Sequence, residues 1–203
     1  IGTGFAITED GFIVTNEQVV RGAGQIRVLT RAGITDATVV RVDAAHEVAL
    51  LKVNGRFTPL PVAASRSVRL GEAVATVGFP SLGLQGFAPK LAKGDITALT
   101  GLQEDPRHFQ ISALVQRGNS GGALVDERGN VIGVIVATLN PKSATAGTPA
   151  ENSNCAVKST FLMGFLESLP EVVAMLKEPH TRPRKFEDMA KDLEKATVLV
   201  LVD

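Results

Sequence analysis

The sequence predicts an all-β fold, a sandwich or a barrel, and three features carry that prediction. Short segments rich in Val, Ile, Thr and Phe recur along the chain, and Gly, Asp, Asn or Pro separate them. Helical periodicity enters only after about Ser159, where the composition changes.

The first two segments, Gly4–Thr8 (GFAIT) and Phe12–Thr15 (FIVT), read as a hairpin in which Asp10-Gly11 supplies the positive φ of a tight turn. Further strands are expected over Gln25–Thr30, Ala37–Val42, Val48–Val53, Ala73–Gly78, Lys93–Leu99, Phe109–Leu114, Ala123–Val125 and Val131–Thr138. The residues DERGN between Val125 and Val131 read as a hairpin loop. After Ser159 the apolar spacing of Phe161, Leu162, Phe165, Leu166 and Leu169 predicts a helix, with Ser159 or Thr160 as its cap. PEVVAMLKEP adds a further turn or two, HTRPRK (His180–Lys185) is a basic connector, and FEDMAKDLEKA is an amphipathic helix. Thr197–Val202 (TVLVLV) is then a last strand, apolar on both faces, which needs cover from the domain or from a partner.

Composition bounds the function classes. With 44% hydrophobic and 21% charged residues the 203-residue chain is globular, long enough for one domain or two small ones. Its 21 basic residues cancel its 21 acidic ones, so no net field favours nucleic acid or an anionic membrane. No apolar run approaches the roughly 18 residues of a membrane span. The single cysteine excludes an internal disulfide, and an opening on Ile1 rather than Met reads as a mature or trimmed piece. There is no zinc-type Cys/His cluster and no phosphate-binding loop, so no cofactor is expected.

Gly118-Asn119-Ser120-Gly121-Gly122 is the stretch with chemistry in it. Flanking glycines permit a tight turn that exposes the serine Oγ and gathers backbone N–H groups. Acyl transfer needs both, a nucleophile and donors for the tetrahedral oxyanion. The amides of Gly118 and Ser120 are the candidate donors. Taken alone, the same pattern also fits a glycine-rich hairpin whose serine faces water.

The surrounding motifs extend the pattern. A Gly-x-Gly-Phe opening leads into TNEQVV (Thr15–Val20), followed by HEVALLKV (His46–Val53), GFP (Gly78–Pro80), KGDIT (Lys93–Thr97) and QRGNSGGALVDERGNVIGV (Gln116–Val134). In this order the chain resembles trypsin-like serine proteases of the chymotrypsin fold, most closely the bacterial high-temperature-requirement branch. The resemblance runs from about Gly2 to Phe165, and Leu166 to Asp203 match nothing that can be named. It implies two six-stranded antiparallel barrels with a C-terminal helical tail and final strand, the first barrel over 1–66 and the second over 67–158. Residues 159–203 would be helices and a last strand packing on or beyond the barrels.

By the same resemblance the triad histidine falls on Gln18, the aspartate on Glu47 and the serine on Ser120. Glu47 keeps a carboxylate with one extra methylene. Gln18 is a larger change, since an amide cannot take a proton from Ser120 and return it to a leaving amine. Loss of a triad histidine has cost about 10⁶-fold in kcat in a related mechanism. No other residue supplies the base: His46 should point away from its neighbour Glu47, His108 reads as a surface turn residue, and His180 lies in the tail. Cys155 reads as a small buried hydrophobe. Asn119 is uncharged, so an N-terminal ion pair is not expected, and Gly2–Gly4 reads as first strand. Gln116, Val134, Ala137, Thr138 and Ala156 are expected to line a specificity pocket that is small or apolar.

Three functions follow. The first is a catalytically impaired protease-like domain that binds a peptide or protein in the inter-barrel cleft. The second is an active serine endopeptidase in which Gln18 replaces a native histidine by engineering or another base acts. The third is an assembly module that forms a homo-oligomer through its C-terminal segment. An exported location, periplasm or cell envelope, fits the branch.

Overall fold

In a computed structural model, which describes residues 1–80, 83, 86–139 and 152–203, the strands close into two barrels. The first comprises β1 (Gly2–Ala6), β2 (Phe12–Asn16), β3 (Ile26–Thr30), β4 (Gly33–Asp43), β5 (Val48–Val53) and β12 (Thr197–Val202), in the spatial order β1-β12-β3-β4-β5-β2. The second comprises β6 (Ala73–Gly78), β7 (Lys90–Ala98), β8 (His108–Ile111), β9 (Ala123–Val125), β10 (Val131–Leu139) and β11 (Asn152–Lys158), in the order β10-β11-β8-β7-β6-β9. Every ladder is antiparallel, as the short connections and hairpin turns require. Among the described residues, α1 (Glu17–Val20), α2 (Ser159–Glu167), α3 (Pro170–Val173) and α4 (Phe186–Ala196) accompany them.

β5 is apolar on both faces, Lys52 apart, because both of its faces are buried. On β5, Val48 and Leu50 enter the core that joins the barrels, while Ala49, Leu51 and Val53 fill the interior of the first. The joining core takes Phe5 and Val14 from the first barrel and Val77, Ala123 and Val134 from the second. Leu162, Phe165 and Leu166 of α2 and Leu193 of α4 complete it. The second barrel has its own interior of Ile96, Phe109, Leu124, Ile135 and Ala156.

Several boundaries differ from the sequence expectation for local reasons. β1 ends at Ala6 rather than Thr8, because the Thr8 hydroxyl donates to Asp10 Oδ1 (2.6 Å) and accepts from the Phe12 amide (3.0 Å), closing the turn. Gly11 has φ 102° in that turn. The DERGN loop closes similarly, with Asp126 Oδ1 accepting from the Arg128 and Asn130 amides. Neither Ser159 nor Thr160 caps α2. Ser65, distant in sequence, supplies its hydroxyl to the Thr160 amide at 3.2 Å, and Ser159 Oγ donates to Ala63 O at 2.5 Å. β12 hydrogen-bonds β1 on one side and β3 on the other, with Val198 and Val200 inside the first barrel and Leu199 equally buried.

Candidate active site

Asn16 ends β2 in extended geometry, and its Oδ1 accepts from the Gln18 amide at 3.3 Å, which starts α1. That helix is a single turn. Val19 and Val20 bury into the first barrel, so Gln18 stays half-buried on the other side. There its Nε2 donates to Ser120 Oγ at 3.2 Å.

Ser120 follows a 3₁₀ turn over Arg117–Asn119. Gln116 and Asn119 close the turn reciprocally: the Gln116 amide donates to Asn119 Oδ1 (3.1 Å) and the Asn119 amide to Gln116 O (2.8 Å). β1 grips the same loop, since the Thr3 amide donates to Ser120 O (2.8 Å) and Thr3 Oγ1 to Gly118 O (2.7 Å). Space dictates two of the glycines. A Cβ on Gly118 would sit 2.0 Å from Phe79 O, and one on Gly121, at φ 91°, would sit 2.1 Å from Thr3 O.

A serine hydroxyl has one proton to donate and two lone pairs. All three capacities are in use. Ser120 Oγ donates to Ala137 O (3.1 Å) and accepts from Ala137 N (3.1 Å) and from Gln18 Nε2. The residue is 3% exposed. The Ser120 amide is engaged too, donating to Arg117 O at 3.1 Å. In this conformation that amide is turned into the loop rather than towards an oxyanion.

Glu47 occupies the turn before β5 at φ 61°, a left-handed conformation that costs a non-glycine residue about 1–3 kcal/mol. Its carbonyl accepts from the Glu17 amide at 3.0 Å, which ties it to the start of α1. Its carboxylate points elsewhere, to His108 Nε2 at 2.6 Å. Among the described residues no hydrogen bond links Glu47 to Gln18. His108 is therefore not a surface turn residue: its side chain is 12% exposed and bridges β8 to the first barrel. On its other flank Asp105 Oδ2 lies 3.8 Å from His108 Nδ1. The Arg107 guanidinium forks onto Asp105, Nε to Oδ1 at 3.0 Å and Nη2 to Oδ2 at 2.7 Å, and also donates to Ala45 O at 2.6 Å. That fork is the main reason the Asp105 carboxyl is held well below the usual carboxylate range.

The remaining candidates are accounted for. His46 stacks on Phe161 with ring centroids 4.8 Å apart and pairs with Asp43 Oδ2 at 2.7 Å. The His180 amide and carbonyl bond to Asn130, while burial, Arg184 and Lys177 lower its ring pKa. Among the described residues no imidazole contacts Ser120 Oγ. Cys155 is buried, and burial pushes its thiol pKa up, away from thiolate chemistry. Of the expected pocket lining, Gln116 is exposed beside the serine loop, and Ala137 touches Ser120 through its backbone. Val134 and Ala156 are 0% exposed in the joining core and the second-barrel interior, so they lie behind the groove wall rather than on it. Thr138 belongs to β10, but its side chain lies outside the described residues. No metal-binding cluster of His, Cys, Asp and Glu occurs among the described residues.

The Glu47–His108 contact escaped the sequence reading because its partners are 61 residues apart and share no motif. The charge cluster Glu104-Asp105-Pro106-Arg107-His108 was the available signal.

Two antiparallel six-stranded barrels, with a one-turn helix from one meeting a serine loop from the other, define the chymotrypsin-type fold of the serine peptidases. The chain belongs to the trypsin-like peptidase domain family, which matches residues 2–134, and to its high-temperature-requirement branch. It is 36% identical over 154 residues to a probable periplasmic serine endoprotease, DegP-like, of Rhizobium meliloti (strain 1021), covering 72% of this chain and 29% of that protein. It is 40% identical over 173 residues to the uncharacterized protein y4bJ of Sinorhizobium fredii (strain NBRC 101917 / NGR234), covering 82% of this chain and 27% of that protein. A solved structure, HtrA-type protease AlgW with decapeptide, superposes with a TM-score of 0.69 at 29% identity, over 84% of this chain and 51% of that one. The chain spans less than half the length of these curated relatives.

Proposed function

We propose that this domain holds an extended peptide or a partner protein in the groove between its barrels and does not hydrolyse it efficiently. One observation carries the reading: the side chain donating to Ser120 Oγ is the Gln18 carboxamide, 3.2 Å away. A carboxamide N–H donates a hydrogen bond but neither takes the hydroxyl proton nor returns it to a leaving amine. The saturated hydroxyl and the inward Ser120 amide support the same conclusion, since attack would require breaking both arrangements. Binding is the part of the family's activity that these substitutions leave untouched. Two AlgW structures of similar fold carry a decapeptide and a tripeptide, which favours a peptide as occupant. The domain then acts as a binding module or as a regulator of an active relative. Relatives described as periplasmic endoproteases favour an exported location.

Incubation with casein and with a fluorophosphonate serine probe tests the proposal. The expected result is no turnover and no labelling, alongside measurable anisotropy changes for some members of a fluorescent peptide library. Labelling of Ser120 together with sustained casein turnover overturns it.

A further inference from the structure

The first barrel is closed by a segment that follows the whole second barrel in the chain. The whole second barrel and helices α2, α3 and α4 lie between β5 and β12. Yet β12 is inserted between two early strands, pairing Gly2↔Val200 through Phe5↔Thr197 with β1 and Leu199↔Leu29 through Val202↔Ile26 with β3. Val198, Leu199 and Val200 are almost fully buried. The preceding helix α4 adds Met189, Leu193 and Ala196 to the joining core. Without this unit, β1 and β3 would each present an unpaired edge and the barrel interior would open.

What joins the unit to the body is slight. Residues 176–185 have no helix or strand and are mostly exposed. Their ties to the barrels include His180 with Asn130 and the Arg184 amide with Glu127 O at 3.1 Å. A surface pocket of about 340 Å³ opens beside the start of α4, lined by residues including Val74, Lys93, Arg184, Phe186 and Met189. Ten extended residues reach about 33 Å, the width of a small domain, so the same unit can be delivered to a neighbouring molecule.

We infer that the slot between β1 and β3 is an acceptor site for the α4–β12 unit of a second copy of this chain, so that two copies exchange these units reciprocally. The complementary feature is a helix amphipathic at period 3.6 that runs directly into a strand apolar on both faces. Exchange preserves every ladder and core contact described for the single copy, which makes it a low-cost route to a dimer.

Two experiments test this. Refolding the full chain across a range of concentrations should give a species of twice the monomer mass by light scattering, its fraction rising with concentration. A monomer at every concentration overturns the inference. Separately, a protease site placed between Lys177 and Glu178 allows the folded chain to be nicked, then incubated with an excess of a fluorescent synthetic peptide of residues 183–203. The label should co-elute with the body, while a peptide carrying V198D and V200D should not. A nicked, folded chain that never takes up the label, or that takes up both peptides equally, overturns it. This variant folds before it is cut, so a folding failure cannot imitate a negative result.

Discussion

The two barrels are built and altered differently. The second is one continuous run from β6 to β11, whereas the first takes five early strands and closes with the last. Gln18 and Glu47, the positions onto which the resemblance maps the triad histidine and aspartate, belong to the first barrel, while the serine loop belongs to the second and keeps its glycines. Packing explains the contrast. Gln18 stands on a one-turn helix and Glu47 in a turn, outside the ladders, so changing either disturbs no strand pairing. Gly118 and Gly121 are wedged against backbone of Phe79 and Thr3, so the scaffold requires them whether or not the serine reacts. An intact glycine-serine loop therefore reports on backbone packing, within the second barrel at Gly118 and between the barrels at Gly121, at least as much as on catalysis.

The largest expected effect tests the division of labour at the groove. In Gln18→His alone, Glu47 remains committed to His108 and the new imidazole lacks an orienting carboxylate. Turnover should stay about 10⁴-fold below a complete triad, the loss measured when a triad aspartate becomes asparagine. Adding Glu47→Asp should recover part of that factor in a casein assay. Equal rates for the single and double variants would show that the Glu47–His108 pair is not what withholds the acid.

Next comes the closing strand. Val200→Asp buries a carboxylate inside the first barrel and should lower stability by about 3–5 kcal/mol in urea unfolding. Val40→Asp, on the exposed face of β4, should change it by no more than about 0.5 kcal/mol. Because the joining core draws on both barrels, the Val200→Asp loss should appear as one shifted transition seen by probes in either barrel.

Two glycines sharpen the point about the serine loop. Gly121→Ala combines positive φ with a clash against Thr3 O and should cost about 3 kcal/mol. Gly22→Ala has φ 70° but nothing within 4 Å of its new methyl, and should cost about 1 kcal/mol. Similar losses would mean that conformation, not inter-barrel contact, holds Gly121.

The smallest effect concerns acid. Arg107 lowers the Asp105 carboxyl below its unfolded value, so the pair stabilises the fold above about pH 4 and that contribution fades as pH falls through the depressed folded value. Asp105→Asn should cost no more than about 1 kcal/mol at neutral pH, as for solvent-screened ion pairs, and nothing in strong acid. A difference that persists unchanged at low pH would assign the effect to packing.

Much of this was legible in the sequence because it is local. The β1–β2 hairpin, the DERGN turn and the apolar face of α2 follow from spacing and turn chemistry, and motif order placed Gln18 beside Ser120. What was not legible is long-range. β11 carries the polar run Asn152–Asn154, which breaks strand alternation, so the resemblance placed a strand there but its pairing with β10 and β8 does not show in its own residues. The His108 bridge and the Ser65 cap join residues whose own segments give no sign of each other. For β12, apolar residues on both faces announced burial but not the neighbours that would provide it.

Vectorial synthesis gives that last strand a temporal meaning. As the chain leaves the ribosome, all six strands of the serine-bearing barrel emerge while the other still lacks a wall. The groove between them can take its final form only once Val202 is free to dock. A folding step before that moment meets β1 and β3 without the strand that pairs them here.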